Sequence, residues 1–428
     1  MSHTAAILDF AAAPHVLPPQ VRADALRLLA DTLAVGAAGA QSSEAQKLLP
    51  AIQRWGEGGC ARLLVPDELD RWSSRQQAAF FNGFSIHCLE WDAVHEGAVV
   101  HALSVVTAAL LASADARERT DTEAFLAALA IGVDIASGLG LAATSPMRFF
   151  RPATAGVIGA ALAVARLEGL SRATMADVLG LAYSFAGGTM QAHVEASVAL
   201  PLQIGRAAQA AIQAVDCARA GLNGPHDVLE GPFGYSALIE PLDLARYTST
   251  FGEVWRISEV SIKPFPSGRA SHGALGELQA IRNQVEIGDI ENIELFAPPL
   301  IHRLVGRPYQ PAVPMSYNRL CLPFLAPLML RDGHIDPRDS ETIPELAKKV
   351  TVTLDGNPDA NALSPQRLVV TMKDGSTIER HIDANLGSPE APMSPEQYAA
   401  KYDLCRALAP NCDPRIFDDP LAYATDPR

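Results

Sequence analysis

Twenty residues, Asn82 to His101, hold three of the chain's eleven histidines (His87, His95 and His101) and three carboxylates (Glu90, Asp92 and Glu96). Histidine beside carboxylate is a pairing that moves protons near neutral pH, because the carboxylate orients the ring and tunes its basicity. A helix running to Trp91 puts His87 and Glu90 one turn apart on one face. Asp92 to Val100 then form a loop, and His101 opens the next apolar helix, over residues 103–111. A histidine at a helix N-terminus has its charged form disfavoured, which suits a neutral base. The competing reading is that His87 caps a helix while Glu90, Asp92 and Glu96 are solvated surface charge. Zinc is a third reading, but the histidines lack H-E-x-x-H spacing, and no metal is expected.

A second stretch, Ile262 to His272, is the basic counterpart. Pro264 and Pro266 stiffen it, so Lys263 and Arg269 are presented from a fixed backbone. An anion could be held there by Arg269 as a fork, by Lys263 as a point charge, and by backbone N–H groups between Ser267 and Ser271. Taken by themselves, the same residues also make an ordinary interdomain linker with surface cations.

Two differently patterned regions must position these stretches. From about Val21 to about Ala245 one helix follows another, as with Leu26, Leu29, Ala30 and Leu33 on one face. Thr120-Asp121-Thr122-Glu123 reads as a cap before the apolar run 125–135, and Ser171 stands the same way before Met175, Val178 and Leu179. Residues 204–220 form a further helix, stopped by Gly221 and Gly224. Alanine dominates these helices and aromatics make up only 6% of the chain, so the helices can approach closely in a compact bundle. After about Glu253 the pattern changes. Residues 290–296 and 350–354 alternate like half-buried strands, and 368–372 and 376–382 flank Lys373-Asp374-Gly375 as a hairpin. Helices intervene at 271–284 and 318–330, and 395–408 is helical again and could return to the first region.

Composition narrows the function. With 428 residues, 48% of them hydrophobic, the chain can build a large core and two domains. The formal net charge is −14, from 34 Lys+Arg against 48 Asp+Glu, with no basic tract, so no nucleic-acid partner is expected. An acidic surface repels an anionic substrate at long range, so buried cations must capture one locally. Six cysteines, none in a C-x-x-C pair, read as buried free thiols of a reducing compartment, without the spacing of a disulfide framework or an iron–sulfur cluster. Residues 1–19 lack a basic region followed by an apolar core. The apolar stretches 102–112 and 127–143 are too short or carry a charge, Asp134. Neither a secretory signal nor a membrane span is expected, and the cytoplasm is the default.

An ordered set of motifs resembles the MmgE/PrpD family, which includes 2-methylcitrate dehydratase, cis-aconitate decarboxylase and iminodisuccinate epimerase. Residues 29–39 resemble its opening helix, and Asn82, His87, Glu90-Trp91-Asp92 and His101 are similar to its N…H-x-L-D-F-D-D-T…H-P signature. Gly205-Arg206-Ala207-Ala208, Gly221-Leu222-Asn223-Gly224-Pro225, Lys263-Pro264-Phe265-Pro266 with His272, and Asp332-Gly333 follow in family order. The resemblance implies a mainly α fold: a large all-helical domain, discontinuous in sequence, plus a smaller α+β lid domain, in a homodimer with its site in the interdomain cleft. With the break near Glu253, the helical domain takes 1–255 and 392–428 and the lid takes 256–391. The departures are specific. Glu90 replaces an aspartate, Ala93 and Val94 an aspartate and threonine, and Ala102 a proline. Arg151 stands where many members have histidine, Leu200 where many have lysine, and Cys321 and Phe324 where many have serine and tyrosine.

Those activities all handle a proton or an electron pair next to a carboxylate. The implied function is a cofactor-free lyase, dehydratase or decarboxylase, on a small polycarboxylic acid of the citrate or aconitate type. His101 takes the acid/base role, Asp92 orients or tunes it, and Lys263 binds a carboxylate or serves as a second acid/base. Glu90, His87, Arg151, Ser267, Arg269 and His272 complete the substrate site. The missing cation at Leu200 weighs against a tricarboxylate, since each carboxylate buried unpaired costs roughly several kcal/mol. That keeps open an isomerase or epimerase of a smaller dicarboxylate, or a catalytically silent member.

Overall fold

Small residues let the helices of the first half of the chain approach closely. The computed structural model of the chain describes residues 2–66, 69 and 71–427; Met1, Asp67, Glu68, Asp70 and Arg428 lie outside the described residues. Helices Pro19–Ala40, Arg75–His87, Ala102–Ala114, Thr122–Ala142, Arg151–Leu167 and Ala199–Arg219 pack around one core. At Gly39 an added Cβ would stand 1.9 Å from the Ser85 carbonyl oxygen, and at Gly205 one would stand 2.4 Å from that of Phe80. Both approaches clamp the Arg75–His87 helix, which delivers His87 to the site. That helix opens in a capping box: Ser74 Oγ accepts from the Gln77 N–H at 3.2 Å, and Gln77 Oε1 accepts from the Ser74 N–H at 3.1 Å. Asp121 and Ser171 cap their helices as the sequence indicates.

Thr122–Ala142 is longer than the apolar stretch seen in the sequence, and by length and composition it could cross a membrane. It lies almost wholly buried in the helical core. Its charge, Asp134, is accommodated there by the Tyr247 hydroxyl at 2.7 Å and the Arg256 N–H at 2.9 Å, and burial pushes its carboxyl up to about 6.

A second core runs from Phe265 to Ile382. Its sheet has the order Val350–Leu354, Ile290–Ala297, Gln366–Met372, Thr377–Ile382, the first pair parallel and the others antiparallel. Gly375 closes the hairpin in the left-handed region, at φ 85°. Helices His272–Ile281 and Leu322–Asp332 pack on the sheet and on each other. The second starts later than expected because Met315–Asn318 is a separate short turn of helix, and Pro323 then seats in the first turn of the next. From Met393 the chain rejoins the helical core, where Pro395–Leu408 packs on Pro19–Ala40 and buried Lys401 meets Asp31 at 2.5 Å. Four of the six cysteines are buried free thiols; Cys60 is exposed and Cys217 half-buried, which corrects the expectation of six in the core.

Candidate active site

The helix expected to reach Trp91 stops at His87. Glu90 then takes φ 55°, a left-handed turn uncommon for a side chain with a Cβ, and its carbonyl accepts from Lys263 Nζ at 2.9 Å. His87 and Glu90 therefore meet through a turn, not along a helix face, with His87 Nε2 3.5 Å from Glu90 Oε1. Trp91 is buried, and its indole N–H donates to the Pro264 carbonyl at 3.3 Å, fastening the acidic stretch to the basic one.

Asp92 is the centre of the cluster. His87 Nδ1 lies 2.9 Å and His101 Nδ1 3.0 Å from the same carboxylate oxygen, Oδ2. The Ser104 hydroxyl donates to that oxygen too, and Lys263 Nζ stands 3.9 Å from Oδ1. Burial alone would push the Asp92 carboxyl up, but the charges and hydrogen bonds of His101 and His87 outweigh it and hold it well below the usual carboxylate range. The two histidines diverge. For His87, burial disfavours the charged ring, yet Asp92 and Glu90 together raise its pKa. For His101, burial wins, helped by Lys263, and its pKa falls below the ordinary value. The direction is the one expected of a histidine at a helix N-terminus, but the cause is burial.

His101 caps the Ala102–Ala114 helix, all of whose residues are buried, so its backbone is held rigidly. Nδ1 lies 3.0 Å from Asp92 Oδ2 but outside hydrogen-bond geometry, so the carboxylate acts on the ring by its charge; a proton on Nδ1 leaves the Nε2 lone pair at the less covered edge. That edge meets a cavity of about 70 Å³. His87, Glu90 and His101 form its polar floor, while Met147, Phe150, Met190, Leu200, Leu304 and Leu363 are among its apolar walls. Both cores contribute to it.

The basic stretch contributes differently from its expected role. Lys263 reaches the cluster, held between Glu90 and Asp92. Arg269 borders the cavity, but all five of its N–H donors are taken: Nε and Nη2 by Glu96 Oε1 at 3.0 and 2.6 Å, Nη1 by the Leu386 carbonyl at 2.7 Å and His272 Nδ1 at 3.2 Å, and Nη2 also by the Asn385 carbonyl at 3.2 Å. It cannot also fork a substrate carboxylate. His272 is buried behind it, donating Nε2–H to the Ser267 carbonyl at 3.2 Å; burial, Arg269 and Lys263 hold its pKa well below the ordinary value. Ser267 pairs with Ser271 Oγ at 3.0 Å, and the N–H groups of Ser267, Gly268 and Ser271 are spent on Phe265, Arg319 and Gly268 carbonyls. Three of the five N–H groups of the turn are thus closed to an anion. Arg151 is also turned away, its Nε held by Glu240 at 2.8 Å and its Nη2 by the Ser145 carbonyl at 2.9 Å, while its neighbours Phe150 and Pro152 line the cavity.

His87, Asp92 and His101 place three possible ligand atoms within 4.8 Å of one another. His87 Nδ1 is hydrogen-bonded to the carboxylate and the Lys263 ammonium already stands beside it, so the donor set suits protons better than a metal ion.

Residues 7–244 match the MmgE/PrpD N-terminal domain, and residues 265–412 match the MmgE/PrpD C-terminal domain. The chain belongs to the MmgE/PrpD family. Its mainly α fold with a smaller α+β domain is the two-domain architecture of that family, and the chain is an enzyme. Human cis-aconitate decarboxylase is 29% identical over 352 residues, covering 76% of this chain and 71% of the relative. The mouse protein of the same name is 27% identical over 354 residues, covering 76% and 70%, and a cis-aconitate decarboxylase-like protein of Aspergillus oryzae is 24% identical over 401 residues, covering 86% and 82%. Decarboxylases are lyases, so these relatives side with a lyase over an isomerase.

Two features of this MmgE/PrpD site were not legible beforehand. Glu96 was one carboxylate among three, yet it is the interdomain clamp, accepting from Arg269, Ser261 Oγ at 2.5 Å and Asn385 Nδ2 at 2.8 Å. His193, alone in the four-residue helix Gln191–Val194, lines the cavity; burial and Arg307 lower its pKa to about 4. A lone histidine without a nearby partner in sequence carries no signal.

Proposed function

We propose that this enzyme is a lyase that removes carbon dioxide from a small unsaturated carboxylic acid of the aconitate type, with His101 as the group that exchanges the proton. The observation that carries the reading is the ring of His101, which stands against the Asp92 carboxylate at Nδ1 and lines the cavity. In such a step the bond between carbon and a carboxylate breaks, carbon dioxide leaves, and the electron pair stays on carbon next to a remaining acid group. A proton must then reach that carbon. The bound anion raises the affinity of His101 for a proton, Asp92 stabilises the imidazolium, and Nε2–H delivers the proton into the cavity. His87, whose pKa is raised, shares the Asp92 oxygen and is the neighbouring proton store. Lys263 balances negative charge as it develops at the floor of the site.

A second reading, dehydration, is favoured by the lowered pKa of His101, since a neutral ring can take a proton from carbon as hydroxide departs. The proposed enzyme works without metal or organic cofactor, as a cytoplasmic homodimer, on a small-molecule acid. The test is product analysis with a panel of unsaturated and hydroxylated acids. Carbon dioxide release supports decarboxylation, a new double bond without it supports dehydration, and neither from any acid of the panel rejects the lyase.

A further inference from the structure

The cations expected to hold several carboxylates are not free to do so. Arg269 is the one lysine or arginine among the described residues lining the cavity, and its N–H groups are all engaged by protein acceptors. Arg151 serves Glu240. Arg307 lies behind His193, donating to its carbonyl at 3.1 Å, and does not reach the wall. At the floor, Lys263 is already flanked by Glu90 and Asp92, and its side chain is wholly covered. Apart from His193 and the turn at Gly268 and Ala270, the remaining walls are methionine, leucine, valine, phenylalanine and proline side chains from both domains. A carboxylate pressed against those walls leaves water and gains no cation, whereas an alkyl group gains apolar contact.

We infer that the site selects acids whose carboxylate charge is confined to the end beside His87 and His101, with an uncharged apolar remainder, and that it disfavours a third carboxylate. This rests on the cavity being the reacting site proposed above and, aconitate being a tricarboxylate, puts an unsaturated dicarboxylate in place of aconitate itself as the preferred ligand. Leu200 and Met190 face the remainder of the ligand; a positive charge placed at either converts an apolar wall into a handle for a carboxylate.

Two probes share a maleate head and differ only in the tail: cis-aconitate carries a carboxymethyl group and butylmaleate an alkyl chain. Calorimetric titration of the full chain is expected to show butylmaleate binding at least about tenfold more tightly than cis-aconitate. Met190→Lys, at a half-buried position, is expected to shift the ratio toward cis-aconitate by a similar factor, and Leu200→Lys is the second variant should the first fail to fold. Equal or tighter binding of cis-aconitate by the wild type overturns the inference, as does no binding of either acid, or a ratio unmoved in a folded lysine variant. Turnover is read separately. Tight butylmaleate binding with no acid in the panel converted leaves the inference standing and removes the lyase. Preferred binding and conversion of cis-aconitate does the reverse.

Discussion

His87 and His101 meet edge to face with their ring centroids 4.8 Å apart, and their Nδ1 atoms lie 2.9 and 3.0 Å from one oxygen of Asp92. Their surroundings push them apart in basicity: Asp92 and Glu90 prevail over burial at His87, while burial prevails at His101. Two titratable rings split around a shared carboxylate give one that keeps its proton and one that can release or accept it. Both line the cavity, and the second is the less covered of the two.

The split fixes a pH dependence. The pKa of His101 lies below the ordinary histidine value, so a proton-donating His101 makes kcat/KM fall as pH rises, with the midpoint of the falling limb below pH 6.5. Asp92→Asn removes the charge that raises His101, and the falling limb is expected to move to lower pH. A limb rising through the same range assigns His101 as a base and selects dehydration.

Arg269 acts as a brace. Arg269→Gln is expected to leave Glu96 inadequately paired and to lower unfolding stability by about 3 kcal/mol, measured by urea denaturation. KM of the protein that remains folded should stay within about threefold, because no donor of Arg269 is offered to the ligand. A large rise in KM at unchanged stability would restore the carboxylate-fork role.

Arg151 and Glu240 are a buried pair, so removing one partner strands the other. Arg151→Met and Glu240→Leu are each expected to cost about 3–5 kcal/mol, and the double variant much less than their sum. Additive losses in the cycle would show that the two do not act as a unit.

Legibility followed the range of the interactions. Helices with a repeated apolar face, such as Pro19–Ala40, and strands with alternating burial, such as Ile290–Ala297, are local patterns and were visible. The convergence of His87, Asp92, His101 and Lys263 was proposed from two separate stretches, and those four side chains do meet. The roles of Arg269 and Arg151 were not visible, because their partners Glu96 and Glu240 lie 173 and 89 residues away and nothing local says which donors remain free. The turn at Glu90 was also hidden, since a left-handed glutamate is sustained by a distant lysine, Lys263.

His272 adds a pH-dependent stability. Its folded-state pKa is depressed well below 6.5, so the protein gains stability above that pH and loses it as pH falls below. Buried carboxylates held below their ordinary values, Asp92 and Glu96, add their own loss only at lower pH. His272→Gln keeps a donor for the Ser267 carbonyl and an acceptor for Arg269, and is expected to flatten the melting-temperature decline between about pH 6.5 and 5. An unchanged decline would place its origin elsewhere.

The most direct test is the turnover of His101→Asn on whichever acid the wild-type enzyme converts best. If His101 exchanges the proton, kcat falls by about 10²–10⁴-fold while the melting temperature is preserved. A folded variant whose kcat stays within about tenfold of the wild type would contradict the assignment of His101 as the acid/base group.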